Sequence, residues 1–257
     1  MQMNNFIIDH VLRGNFFDSK GNVIFSLSQI QNPQLNVSSD STDAVDALGV
    51  PITTFYRAKN AELSCENAIF DMSLLAAQSG SVKKEAASDA KITVPCFETL
   101  NASSTSLQHE PKTMPEVAYV LNSDSTLGEK VMVGTGDDKL AISGKALTMP
   151  TTGLAEGYEL YIMYEYEADG TDKNGAVSVV NTANEFPKAG KLVLEVLGCD
   201  VCKPEEQIFA YVVFPNFKLS PDFDWTMSTD STHAFSGKAQ QEYCSREKKL
   251  FEVIIPE

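Results

Sequence analysis

Short stretches in which apolar and polar residues alternate recur along the whole chain, separated by Gly, Asn, Asp and Pro. Alternation with a period of two, on β-branched and aromatic residues, is typical of strands that bury one face. The clearest example lies at residues 159–167, where Leu160, Ile162 and Tyr164 fall on one face and three glutamates fall on the other. The pattern predicts a mainly β protein, organised as a β-sandwich or barrel.

One segment has helical spacing instead. Ala68 and Met72 begin a stripe of apolar residues at intervals of four and three, which places them on one side of a helix. Ser64 precedes the stripe as a candidate N-cap, and Gly80 follows it as a natural stop. The sequence therefore predicts one flanking α-helix over about residues 66–79.

Two polar segments interrupt the strand pattern. Residues 38–51 (SSDSTDAVDALGVP) are acidic and contain Gly and Pro, which predicts a long loop. Loops of this length in compact domains tend to be functional. A second polar segment, around residues 81–91, follows the predicted helix and indicates a linker or insertion. We expect the chain, residues 1–257, to fold as a single domain around these segments.

The charge of the chain excludes some functions. It has 257 residues, with 20 Lys and Arg against 35 Asp and Glu, so the formal net charge is −15. Acidic residues exceed basic ones in both halves, which argues against a surface that grips nucleic acid. No apolar stretch is long enough for a membrane span, and the N-terminus lacks the features of a secretion signal. We therefore expect folding in a reducing cytoplasm, with all five cysteines as free thiols.

No motif in the sequence predicts catalysis. The three histidines, His10, His109 and His233, lie in no metal-binding or nucleophile-activating pattern. Cys199 and Cys202 form a C-x-x-C pair, but a zinc site needs two further ligands and no second pair exists. Trp225, the single tryptophan, is predicted to pack in the core. We predict no catalytic, cofactor-binding or metal-binding residues, and no enzymatic activity.

The order and character of the segments carry a resemblance. The run of strands and single helix in residues 42–80 is similar to the N-terminal part of bacteriophage tail tube (major tail) proteins. Residues 105–134 resemble virion proteins of the same type. So does the end of the chain, where an aspartate-rich strand at 222–239 precedes a last strand at 248–256. The similarity covers most of the chain.

The resemblance implies a structural protein of the virion tail, assembled in the host cytoplasm. Subunits of this family form rings, commonly hexameric, that stack into a tube conducting DNA from capsid to host. The partners implied are other copies of the chain, other tail and virion proteins, a sheath, and DNA as non-specific cargo. No cofactor is implied.

Two sets of residues follow as candidate sites. The long loop of such proteins reaches an adjacent ring, and here it would carry Asp40, Asp43, Asp46 and Gly49. Acids facing the channel would repel the phosphates of passing DNA. The candidates for that lining are Glu159, Glu165 and Glu167.

Other functions remain open from the sequence. A capsid decoration protein or a head–tail connector component would share the same composition without forming tubes. A β-sandwich that binds carbohydrate or protein could use Tyr161 and Trp225 as an aromatic platform. A glycosidase could be built on Glu165 and a second acid.

Overall fold

The structure, a computed structural model, describes residues 6–171, 174–229, 231–242 and 246–256. Its internal contacts divide the chain into two compact units. Unit 1 combines Met1–Lys83 with Val179–Glu257, and unit 2 is the intervening segment Lys84–Ser178. The first boundary falls inside the polar segment expected to be a linker or insertion. That the whole chain folds as a single domain stays a prediction.

The described residues are mainly β, with one helix, which confirms the predicted fold class. In chain order the elements are β1 (Phe6–Phe17), β2 (Val23–Leu27), β3 (Ile30–Val45), β4 (Pro51–Asn67), α1 (Met72–Ser79), β5 (Lys84–Glu85), β6 (Ile92–Asn101), β7 (Val117–Leu121), β8 (Leu127–Met132), β9 (Ala141–Ser143), β10 (Ala146–Thr148), β11 (Glu159–Ala168), β12 (Val177–Ser178), β13 (Ala189–Asp200), β14 (Lys203–Leu219), β15 (His233–Ala239) and β16 (Glu252–Ile254).

Unit 1 is built on one antiparallel sheet in the order β2-β1-β13-β14-β15-β4-β3, with β16 also paired to β14. One face of the sheet carries the core. Phe16, Leu63, Leu194 and Phe214 come from four different strands and are at most 3% exposed. Leu74 of α1 is fully buried in the same cluster, so the helix is held by the sheet it covers.

The helix is shorter than the sequence predicted. It begins at Met72, and the side chain of Asp71 caps it by accepting hydrogen bonds from the backbone N–H groups of Ser73 (2.9 Å) and Leu74 (2.7 Å). The prediction of a helix from about residue 66, capped by Ser64, is wrong because this stretch continues β4 and pairs with β15. The predicted stop is confirmed, since Gly80 takes up a left-handed conformation as the C-cap.

The predicted loop at residues 38–51 is also different in the structure. β3 runs on to Val45 and β4 starts at Pro51, so only Asp46–Val50 form a turn. The polar residues of the segment are compatible with a strand because they face water on both sides. Composition suggested a loop, whereas pairing with β4 makes it the edge of a sheet.

Unit 2 contains a four-stranded antiparallel sheet in the order β6-β11-β7-β8, together with the small hairpin β9–β10 and the short pair β5–β12. Its core is a separate cluster that includes Leu100, Leu140, Leu160 and Ile162, each at most 3% exposed. The alternation predicted for β11 is confirmed, because Leu160, Ile162 and Tyr164 are buried and the residues between them are not.

The structure places four of the five cysteines and the tryptophan. Cys65, Cys96, Cys199 and Cys202 are free thiols, and Cys244 lies outside the described residues. Cys199 is the second-last residue of β13, and Cys202 lies exposed in the turn that leads to β14. The prediction that Trp225 is a core residue is wrong: it is 38% exposed and stacks on Phe70 with ring centroids 4.2 Å apart.

Candidate assembly surface

The β3–β4 hairpin extends beyond the core of unit 1. At its base, Ala61, Leu63, Cys65 and Asn67 are buried at every second position of β4. From residue 31 to residue 60 every side chain is exposed, apart from the half-buried Ala44. We call residues 31–60 the distal ribbon. It is a two-stranded segment with water on both faces.

The backbone of the distal ribbon is paired along most of its length. β3 and β4 pair antiparallel from Gln34↔Ser64 out to Val45↔Pro51. The register shifts at Gln31/Gln34, at Ser38/Asp40 and at Ala44/Val45. The shift at Ser38/Asp40 lies opposite Ala58, whose φ of 49° is in the left-handed region. Such bulges bend a strand and increase its twist. Because an isolated two-stranded hairpin is marginally stable in water, this ribbon needs further support to be rigid.

The tip of the ribbon is a tight turn built by one side chain. The carboxylate of Asp46 accepts hydrogen bonds from the backbone N–H groups of Leu48 (2.9 Å) and Val50 (2.8 Å). Gly49 has φ of +82°, a conformation that other residues adopt only with strain. Of the four residues predicted as an inter-ring site, these two therefore shape the turn.

The other two predicted residues lie on β3. Asp40 is opposite Arg57 in the strand register, and Asp43 accepts a 2.6 Å hydrogen bond from the hydroxyl of Thr54 across the ribbon. The structure thus brings Asp40, Asp43, Asp46 and Gly49 together along one distal ribbon. Their role between rings stays a prediction.

Sequence reasoning missed the apolar residues of the same ribbon. Tyr56 is 74% exposed and Leu48, at the tip, is 89% exposed. The large apolar side chains exposed on the ribbon are Leu35, Val37, Val45, Leu48, Val50, Ile52, Phe55 and Tyr56. Exposed apolar groups gathered in this way mark interaction surfaces. The sequence did contain a sign of this surface at residues 52–56 (ITTFY), because the adjacent Phe55 and Tyr56 place apolar groups on both faces of a strand.

The acids predicted to line a channel lie elsewhere. Glu159, Glu165 and Glu167 all belong to β11 of unit 2, on the face opposite its core. Glu167 is bound by two ammonium groups, those of Lys91 at 3.0 Å and Lys112 at 3.4 Å. Hydrogen bonds from these lysines lower the pKa of Glu167. Because its charge is shared with two cations, Glu167 contributes least to a repulsive surface.

Two buried polar side chains of unit 1, those of His233 and Gln78, contact each other. His233 is fully buried, and its Nε2 lies 2.8 Å from Oε1 of Gln78, which connects β15 to α1. Burial lowers the pKa of His233, against a smaller opposing effect of Asp71.

Among the described residues, no group of three or more His, Cys, Asp or Glu side chains could hold a metal ion. The helix found in the described part of the chain cannot span a membrane.

The chain matches the model of a known protein family. The model of the YomU/Tube protein family matches residues 6–252, nearly the whole chain. No curated protein matches the sequence. The matched region includes unit 2, nearly all of unit 1 and the complete β3–β4 hairpin, so the chain belongs to the YomU/Tube protein family, in agreement with its resemblance to phage tail tube proteins.

Proposed function

We propose that the chain is the subunit of a phage tail tube, in which each copy docks its distal ribbon on neighbouring copies. The observation that carries this proposal is the distal ribbon, whose side chains are exposed on both faces and include eight large apolar residues. Covering these residues in an assembly would remove apolar surface from water and would supply the support that an isolated ribbon lacks.

The sheet of unit 1 favours contacts between unlike surfaces. It is open, with β2 at one edge and β3 at the other. Open edges expose unpaired backbone groups, and proteins cover such edges or use them for association. Contacts between two different surfaces of identical subunits generate closed rings or open stacks. We infer rings, hexameric as is common among tail tubes, which stack through the distal ribbon with its acids Asp40 and Asp43.

The net charge fits a conduit for DNA. A subunit with a charge of −15 gives a ring a strongly negative field, which keeps phosphates from adhering to the wall. Glu159 and Glu165 remain the proposed lining acids, with Glu167 as the weakest of the three. In this role the partners are other copies, further tail and virion proteins and a sheath. The site of action is the virion tail, after assembly in the host cytoplasm.

A shortened hairpin tests the docking role. Ser41 and Tyr56 are paired, so residues 42–55 can be replaced by Asn-Gly, a two-residue turn suited to a β-hairpin. We expect this variant to stay folded but to form no tubes under conditions in which the wild type does, as observed by negative-stain electron microscopy and sedimentation.

The matched control shortens a hairpin tip that the proposal does not use. Leu121 and Leu127 are paired in unit 2, so residues 122–126 can be replaced in the same way. This control should form normal tubes. Tubes from the variant lacking residues 42–55 would rule out the docking role. A wild type that binds preformed capsids without making tubes would indicate a decoration protein instead.

Charge reversal tests the proposed lining separately. Glu165→Lys should slow the release of DNA from virions without preventing tube assembly, since phosphates would then adhere to the wall. The control is Glu129→Lys, an exposed acid on β8. Equal ejection rates for both variants and the wild type would contradict the lining assigned to Glu165.

A further inference from the structure

Unit 2 contains a cleft that tube assembly does not explain. Its volume is about 910 Å³, within the usual range for small-molecule sites. It lies where the segment after β6 approaches the C-terminal end of β11. The walls include Lys91, His109, Lys112, Tyr166 and Asp169. All of its lining residues belong to unit 2, and none lies on the distal ribbon.

The wall formed by residues 108–112 is fixed by buried groups. Glu98, which is 6% exposed, accepts a 3.0 Å hydrogen bond from the backbone N–H of Gln108. The hydroxyl of Tyr164 accepts one from the backbone N–H of His109 at 3.1 Å and donates its own proton to Glu98. Because both anchors come from the strands of the sheet, the wall is preformed, which lowers the entropic cost of binding.

An aromatic pair lines the cleft. The rings of His109 and Tyr166 stack with centroids 3.7 Å apart and an angle of 7° between their planes. Tyr166 packs partly against the core of unit 2, so the position of the pair is defined by the sheet. Flat ring surface beside polar groups suits a ligand that has both apolar C–H faces and hydroxyl groups.

The polar lining is balanced in charge. Three lysines and three acids face the cleft: Lys91, Lys112, Lys145, Glu110, Glu167 and Asp169. Two of the lysines contact Glu167, and Lys145 donates a 3.1 Å hydrogen bond to the carbonyl of Gln108. Each ammonium has three donors and each carboxylate accepts several bonds, so capacity for a ligand remains. An anionic ligand would have to compete with these acids, whereas hydroxyl groups can donate to the acids and accept from the lysines.

We propose that this cleft binds a neutral saccharide. The carbon-rich face of the sugar ring packs on the His109–Tyr166 pair, and its hydroxyl groups bond to Lys91, Glu167 and Asp169. This function goes beyond the proposed assembly of a tube, and a subunit in solution can show it without assembling.

The test is ligand-observed saturation-transfer NMR on the full chain. The probes are oligosaccharides of glucose, galactose, mannose and N-acetylglucosamine, with uronic-acid oligosaccharides for comparison. We expect signals from at least one neutral sugar, with an affinity that is measurable by titration calorimetry. His109→Ala should weaken it about tenfold by removing one ring of the stack. Lys91→Met keeps most of the length of an exposed side chain, removes its donors and should weaken binding about fivefold.

The matched control is Tyr161→Ala. Tyr161 lies on the same strand as Tyr166, but on the opposite face of the sheet and outside the cleft. This variant should bind within about twofold of the wild type, because it loses an aromatic ring without altering the site. Absence of binding to every neutral sugar, binding of uronic acids alone, or affinity that survives both cleft variants would overturn the proposal. So would a loss confined to Tyr161→Ala, which would place the sugar against Tyr161, outside the cleft.

Discussion

The two halves of the β3–β4 hairpin have the same backbone pairing but different surroundings. In the base, Ala61–Asn67, every second side chain of β4 enters the core of unit 1, and β15 pairs with the strand on its second side. In the distal ribbon, β3 is the only strand among the described residues that pairs with β4, and the side chains of both faces meet water. Hydrogen bonding between strands is therefore similar in the two halves. The difference is that side chains of the base pack in the core of unit 1, whereas those of the distal ribbon are exposed.

The difference shows where the stability of this hairpin comes from. Hydrogen bonds between strands replace bonds to water and contribute little net free energy each, whereas burying a large apolar side chain contributes about 1.5–3 kcal/mol. The base has this contribution within the subunit, and the ribbon can obtain it only from another molecule. We expect the base to be stable in the monomer and the ribbon to become rigid on assembly.

The largest effect that separates the two halves is expected for apolar truncations on β4. Leu63, in the base, is 2% exposed, and Leu63→Ala should lower the free energy of unfolding by about 2–5 kcal/mol through the cavity it leaves. Ile52, in the ribbon, is 71% exposed, and Ile52→Ala should change it by less than about 0.5 kcal/mol. Urea unfolding followed by circular dichroism measures both. Equal losses would show that the ribbon is packed within the monomer.

A smaller effect is expected for two aspartates that accept hydrogen bonds. Asp71 caps α1, which packs on the sheet beside the base, and Asp71→Ala should cost about 0.5–2 kcal/mol in unfolding free energy. Asp43 accepts a single bond from Thr54 in the ribbon, and Asp43→Ala should cost less than about 0.5 kcal/mol. Thermal unfolding of both variants compares the two regions with the same residue type. A larger loss of stability for Asp43→Ala than for Asp71→Ala would contradict the expected difference between the base and the distal ribbon.

The base should also respond to pH in a way that the ribbon does not. His233 pairs with Asn67 of the base, and burial lowers its pKa below the usual 6.5. His233 of the unfolded chain therefore takes up a proton at a higher pH than His233 of the folded chain. The contribution of neutral His233 to stability is complete above pH 6.5 and is lost as the pH falls toward the folded pKa. We expect the free energy of unfolding to decline between pH 7 and pH 5.

The control for this dependence replaces the imidazole. His233→Phe keeps a ring beside Phe70, which stacks on His233 with centroids 5.3 Å apart, and removes the titrating group. Its unfolding free energy should vary less with pH in the same window, whatever its absolute value. The variant in which residues 42–55 are replaced by Asn-Gly retains His233 and should retain the slope. A slope that persists in His233→Phe would assign the effect to other groups.

The same contrast explains which features could be predicted from the sequence. The alternation on β11 was correct because one face of that strand is buried within the subunit. Residues 38–51 of the ribbon were predicted as a loop because neither face is buried, so their side chains carry no period of two. The start of α1 was misplaced because the apolar stripe beginning at Ala68 continues the end of β4, and only pairing with β15 separates strand from helix.

Candidate sites were predictable to a similar extent. The acids of the hairpin were found because charge and turn residues are visible in the sequence, and Asp46 does form the turn. The cleft of unit 2 was not foreseen, since His109 and Tyr166 are far apart in the chain and are brought together by the anchoring of residues 108–109 to Glu98 and Tyr164. Spacing in a sequence does not reveal such tertiary contacts.

The smallest effect on global stability is expected at the tip of the ribbon. A side chain at Gly49 would meet open space, so Gly49→Ala introduces only the strain of φ at +82°, about 1–2 kcal/mol, and the tip can relieve it by opening locally. The free energy of unfolding should therefore be unchanged, while the critical concentration for tube formation rises about tenfold. Gly157 in unit 2 has φ of +75° and equally open surroundings, and Gly157→Ala should leave that concentration unchanged. Light scattering over a concentration series distinguishes the two, and equal critical concentrations would mean that the conformation of the tip plays no part in assembly.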